Sequence, residues 1–233
     1  VYLLLTFIVG LCYTPFCLSV LGESEYGIFS VAASAVSFLT ILDLGFSQTM
    51  IRYVSKARAL GDEDEENRLY GLFLVLYALI AVVALIAGMI LLIFMEDIFG
   101  ITGTGFTEYE AHRLRIIFAI LLINLVGSFP LGEYTAILNA HEGFVVLKLV
   151  NIVTFFLTYG GMTIALFFGG DAVTLAVITT VVSLGVKMAQ AVYVGKKYHI
   201  KFVIRGFDKG LVKEIYVFSF FIFLNIVIDQ LYA

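Results

Sequence analysis

The chain has 233 residues, of which 61% are hydrophobic and only 14% charged, with a formal net charge of -4 and a mean hydropathy of +1.05. An ordinary soluble domain carries roughly 25% charged residues, so this composition excludes a soluble protein and points to an integral membrane one. The charges sit in loops between apolar blocks rather than in a basic stripe, which argues against any nucleic-acid partner.

About 20 apolar residues span a hydrocarbon core of about 30 Å. Seven blocks reach that length, at residues 1–20, 26–51, 69–95, 116–138, 145–168, 172–194 and 215–233. Lipid offers backbone groups no water, and the blocks lack the alternation of barrel strands, so they must be helices. The predicted fold class is all-α: a polytopic membrane protein with a six-helix transmembrane lobe and the start of a seventh helix. The chain lacks an initiator Met and begins and stops within apolar blocks, so it reads as an internal piece of a longer protein. Block one lacks a basic lead and a cleavage site, so it is taken as a clipped crossing rather than a signal peptide. Cys12 and Cys17 lie about 140° apart on that helix and cannot bridge each other.

Of the 14 Lys and Arg residues, all but Arg113 and Arg115 fall in or beside the loops after the second, fourth and sixth blocks. The positive-inside rule places those loops, and the N-terminus, in the cytoplasm of a cell-membrane protein. The acidic patch Asp62-Glu63-Asp64-Glu65-Glu66 reads as a solvated helix connection on the same side. Residues 1–194 are expected to form the lobe, 195–213 a basic cytoplasmic linker, and 214–233 the opening of the seventh helix. Within the linker, Ile200-Lys201-Phe202-Val203-Ile204-Arg205 alternates like a short strand or an interfacial segment, and its basic residues also suit anionic headgroups.

Read as one continuous helix, the second crossing sets Ser30, Ser34, Ser37, Gly45, Gln48, Arg52 and Ser55 on one stripe, interrupted by Ile41. Small residues there suit close helix contact, while Gln48 and Arg52 suit a wet cavity, with snorkelling to headgroups as the simpler account of Arg52. Asp43 falls about 140° from Ser30, pointing toward another helix. An acid at bilayer depth costs about 2.5 to 3.5 kcal/mol on insertion scales, which makes it a functional-site hypothesis with an unnamed partner.

Pro130 is expected to kink the fourth crossing, as Pro15 does the first. Glu133 follows as a second buried acid, with Asn124, Ser128 and Thr135 on a different face. Polar groups recur at three-to-four spacing in the fifth crossing (Asn151, Thr154, Thr158), the sixth (Thr180, Ser183, Lys187, Gln190) and the seventh (Asn225, Asp229). Stripes of this kind line an aqueous path or bond helix to helix. The uncharged third crossing reads as lipid-facing or packing. His112, His141 and His199 fall in loops too far apart in sequence for a metal site or triad. With no nucleophile, phosphate loop or metal spacing, neither an enzyme nor a cofactor is expected.

Several stretches together resemble the polysaccharide flippase branch (O-antigen and teichoic-acid type) of the multidrug/oligosaccharidyl-lipid/polysaccharide (MOP) exporter superfamily. They are Pro15-Phe16 with Leu21-Gly22-Glu23-Ser24-Glu25-Tyr26-Gly27; Leu42-Asp43-Leu44-Gly45-Phe46 with Arg52-Tyr53-Val54; Ile137-Leu138-Asn139-Ala140-His141-Glu142-Gly143-Phe144; and Phe218-Ser219-Phe220-Phe221-Ile222-Phe223-Leu224-Asn225 with Asp229-Gln230. The resemblance implies two six-helix lobes and alternating access that carries a polyprenyl-diphosphate-linked oligosaccharide across the cytoplasmic membrane. It implies as partners that substrate, membrane lipids, protons or sodium, and polysaccharide-assembly proteins. By depth and charge, Arg52 and Lys187 become diphosphate-loading candidates, Gln48, Asn124, Asn151 and Gln190 sugar contacts, and Asp43, Glu133 and Asp229 coupling or packing acids. The competing readings are a cation-coupled drug antiporter of the same superfamily and a non-transporting membrane scaffold.

Overall fold

The computed structural model describes residues 2–95, 107–204 and 209–232, without the side chains of residues 2–8, 11, 12, 209, 226, 227 and 229–232. Among the described residues all regular structure is helical, as the lack of any period-two pattern over a full crossing requires. The helices are α1 (Tyr2–Leu21), α2 (Glu23–Leu39), α3 (Phe46–Leu60), α4 (Glu63–Ile93), α5 (Glu108–Ala140), α6 (Phe144–Phe167), α7 (Ala172–Tyr198) and α8 (Lys209–Tyr232). Five described stretches, Glu23–Leu60 (α2 and α3 together) and α4 to α7, are long and apolar enough to cross a membrane. Helices α1 and α8 occupy the first and last expected blocks.

The largest departure from expectation is in the second crossing. It is not one helix: α2 stops at Leu39, a 3-10 turn covers Thr40–Asp43, and Leu44 (φ 49°) and Gly45 (φ 75°) both adopt the left-handed conformation before α3 begins. Gly45 is required twice over. Only glycine takes that φ without strain, and a Cβ there would overlap Ile222 of α8. The single stripe drawn through this crossing therefore loses its basis, because the break resets the helical phase. Asp43 stands at the start of α3 with its carboxylate close to the Ser47 backbone N–H. That is the partner the sequence could not name: an orphan amide of the helix's first turn.

Other boundaries follow from caps. Helix α4 starts before its apolar block because Asp62 Oδ1 accepts the Glu65 N–H at 2.9 Å and the acids that follow favour the positive helix end. Pro15 and Pro130 both stay within unbroken helix assignments. Residues 201–204 form no strand. The Lys201 and Val203 N–H groups go instead to Asn67, at 3.2 and 3.3 Å, and Gly71 leaves room for the Val203 carbonyl.

Packing divides the chain into two units, Val1–Phe38 with Ile86–Asn124 and Asn151–Ser183, and Leu39–Leu85 with Leu125–Val150 and Leu184–Ala233. In the first, Cys17, Met162, Leu166 and Leu175 form a buried cluster ringed by Tyr13, Phe16, Tyr26 and Ile178. Arg113 of α5 ties its polar end together: Nε lies 3.0 Å from Glu25 Oε1 as an ion pair without hydrogen-bond alignment, and the guanidinium also donates to Asp171 and to the Tyr109 hydroxyl. In the second unit, Phe73, Tyr77, Met50, Ile137 and Leu138 are buried. Lipid tails are as apolar as these side chains, so the packing gain is close contact rather than water exclusion. Helix α4 displays both consequences: Ala84 is fully buried, and Gly88 admits Leu122 in the first unit, while Leu79, Val82, Ile86, Met89, Ile90 and Ile93 remain exposed, an apolar face suited to lipid.

Candidate functional site

Helix α3 has two faces. Phe46, Thr49, Met50, Tyr53, Val54 and Ala57 are buried, and Gln48 and Arg52 are exposed. The buried face forms a seam with α8. Thr49 and Ser219, both inaccessible, share a hydroxyl hydrogen bond of 2.8 Å; Phe46 meets Tyr216 edge-on at 5.7 Å, and Tyr53 meets Phe218 at 6.2 Å. Arg52 reaches over this seam. Its Cζ stands 4.1 Å from the centroid of the Phe218 ring, and among the described residues no carboxylate pairs with it. A cation exposed along a membrane crossing, stacked on an aromatic face and without a counter-charge, is equipped to meet an anion.

The other predicted residues fare differently. Lys187 on α7 is half-buried in the same unit. Gln190 is buried, and its amide donates to Thr135 Oγ1 of α5 at 3.1 Å, so it serves helix packing rather than standing open in a cavity. Asp43 is half-buried and occupied with the start of α3. Glu133 is completely inaccessible, and among the described residues neither carboxylate oxygen is hydrogen-bonded. The buried Tyr77 hydroxyl lies within electrostatic reach of both Asp43 and Glu133; Ser47 stands beside it without a well-formed hydrogen bond. Asn124 is half-buried and Asn151 exposed, both at edges of the first unit's segments. The Asp229 side chain lies outside the described residues.

Two further features flank α3 in the second unit. An apolar cavity of about 140 Å³ lies beside the break, lined by Leu42, Leu44, Phe46, Leu76, Ile80 and Tyr216 among others. A pocket of about 180 Å³ with a mixed wall, in which Lys56, Asp62, Glu65 and Glu214 stand beside Leu60, Leu69 and Leu211, lies toward the C-terminal end of α3. Sequence reasoning also missed a cluster around His141. Glu66 lies 3.0 Å from its Nε2, the Tyr70 hydroxyl lies 2.9 Å from the same nitrogen and donates to Glu66, Tyr198 stacks on the ring at 4.0 Å, and Arg58 donates to the neighbouring Ala140 carbonyl at 2.6 Å. Its members are scattered over 140 positions of chain as lone polar residues, and only the fold collects them.

The whole chain, residues 1–233, matches the family model described as polysaccharide biosynthesis protein. It belongs to this family of polysaccharide flippases in the MOP superfamily. No curated protein and no solved structure matches it. For a polysaccharide flippase family member, the apolar helices carry the expected multi-pass membrane character, and the family's members are typically transporters rather than enzymes. Arg52, Gln48 and Phe218 all lie in stretches of the kind that resemble the family, or directly beside them. Of these, only Phe218 was not singled out in advance, although its place at the head of an aromatic run in the last crossing was a usable signal.

Proposed function

We propose that this protein moves a polyprenyl-diphosphate-linked oligosaccharide across the cytoplasmic membrane by alternating access, for synthesis of a cell-surface polysaccharide. The observation that carries the reading is Arg52, an exposed guanidinium on a membrane crossing with no carboxylate partner among the described residues. The paired oxygens of a diphosphate match the planar fork of a guanidinium. Lys187, in the same unit, is the second loading cation, and Gln48, Asn124 and Asn151 are the sugar contacts. Asp43, Glu133 and Asp229 are the coupling or packing acids, with protons or sodium as the coupled ions. Residues 1–194 form one lobe with its N-terminus in the cytoplasm, 195–213 join it to the next, and membrane lipids and polysaccharide-assembly proteins are the partners.

An organic-cation antiporter would need acids open to its substrate. Of the two candidate acids with described side chains, Asp43 is turned to the start of α3 and Glu133 is sealed from solvent, which supports the flippase reading over that one. The test is a lipid-linked oligosaccharide flipping assay with the full-length protein in liposomes. Substituting Arg52→Ala together with Lys187→Ala is expected to reduce flipping at least tenfold, and full activity in that double variant would remove the loading role.

A further inference from the structure

We propose that Phe218 is a positioning residue for the anion site: its ring holds the Arg52 guanidinium by one face so that the N–H edge stays free for a phosphate-type oxyanion. The inference rests on the reading of Arg52 as the diphosphate-loading group, and it adds the element that makes Arg52 competent.

The geometry begins with the Phe218 ring, which is fixed from two sides. The Tyr53 ring stands nearly perpendicular to it, at 80° and 6.2 Å, and Tyr53 is itself buried. One residue further along α8, Ser219 is locked to Thr49 by a hydrogen bond with no access to solvent. One turn beyond, Ile222 packs where a Cβ on Gly45 would be. Phe218 is therefore not a mobile surface ring but part of the α3 to α8 seam. Arg52 has the opposite character: long, exposed, and with no carboxylate among the described residues to steer it.

A free arginine side chain loses much rotamer freedom when it binds. A guanidinium already resting on an aromatic face has lost part of that freedom beforehand, and its five N–H donors lie in the plane of the group rather than toward the ring. Stacking and in-plane bidentate hydrogen bonding are thus compatible. The ligand class that gains is an anion with two oxygens available side by side, as in a diphosphate. Because Phe218 belongs to α8 and Arg52 to α3, affinity for that anion depends on the seam being closed. By linkage, the bound anion must favour the closed seam in equal measure.

The test uses the full-length protein in detergent, with inorganic diphosphate as the probe and calorimetric binding at one fixed low ionic strength. Phe218→Leu should weaken binding about two- to thirty-fold, the range expected for loss of one cation–π contact, and Phe218→Trp should retain it. Arg52→Lys should not match the native side chain, because an ammonium lacks the planar fork. Replacing Phe218 by phenylalanines of increasing ring fluorination keeps its shape while draining charge from the ring face. Affinity should then fall stepwise, a response that a purely structural role would not give. A flat fluorination series combined with lost binding in Arg52→Ala would overturn the role of Phe218 and leave the loading role standing. Undiminished binding in Arg52→Ala would overturn both.

Discussion

Glu133 is a costly placement: among the described residues it is an acid with no access to solvent and no hydrogen bond to either oxygen. Leaving a buried polar group unsatisfied costs about 1 to 3 kcal/mol. Glu133→Leu is therefore expected to raise the thermal unfolding midpoint of the purified protein, by an amount on the order of 1 to 3 kcal/mol in stability, whatever it does to transport. A fall of similar size would mean that the carboxyl has a stabilising partner. Gly45 predicts the reverse. Gly45→Ala forces an alanine into a left-handed φ and against Ile222, which together should cost about 2 to 4 kcal/mol. The readout is the same melting curve, and an unchanged midpoint would show that the break is not built as described. At this scale the sequence was a partial guide. Glu133 stood out as a charge inside an apolar block and Arg52 as the first residue beyond one, which hydropathy detects directly. Gln190 shows the limit of such a signal, because a polar residue on a helix looks the same in sequence whether it faces water or, as here, donates to Thr135.

Elements are tied at their ends by charge, and two ties weaken in acid over different pH ranges. Asp171 precedes α7 in the first unit. Burial works against its ionisation, but hydrogen bonds from Arg113 and from Thr174 prevail and bring the carboxyl down to about 2. A depressed carboxyl stabilises fully above its unfolded value, about 3.9, and the contribution is lost as pH falls from there toward 2. Asp171→Asn should thus lower the melting midpoint at neutral pH, with the difference closing only below about pH 4. His141 acts nearer neutrality. Burial first, then the Arg58 charge, holds its imidazole below the usual range against the pull of Glu66. Folding then favours the neutral ring, so its contribution is complete above about pH 6.5 and declines as the medium becomes more acidic. His141→Gln should flatten that decline in a melting series from pH 7.5 to about 5, and an equally steep series would remove His141 as its source.

Helix positions were readable because each needs a long apolar run, and the order of apolar and charged residues shows where such runs lie. The break at Thr40–Gly45 was not readable, since Leu42, Leu44 and Phe46 keep the hydropathy high through it and one glycine is a weak signal inside a membrane helix. The Arg113 and His141 clusters were hidden for another reason. Each joins residues from three or more elements, and no local pattern announces them.

For the molecule as a whole, the exposed apolar face of α4 and the five membrane-length stretches demand a bilayer, and the distribution of Lys and Arg sets an expected direction across it. Single cysteines placed at Asp64 and at Tyr109 should be labelled by an impermeant maleimide from opposite sides of intact cells: Tyr109→Cys from outside, Asp64→Cys only after the membrane is opened. Labelling of both from one side would dismantle the topology, and the exchanged pattern would reverse it.

The interruption of the second crossing has an electrical side as well. In an unbroken helix the peptide dipoles cancel along the interior and leave partial charges only at the two ends, where water and salt can screen them. Stopping α2 at Leu39 and starting α3 at Phe46 creates an additional pair of ends partway along the crossing, each equivalent to roughly half an elementary charge. The positive one is answered by the Asp43 carboxylate at Ser47. Mobile ions reach such a site poorly, so this fixed field should persist at salt concentrations that erase the attractions of the loop charges.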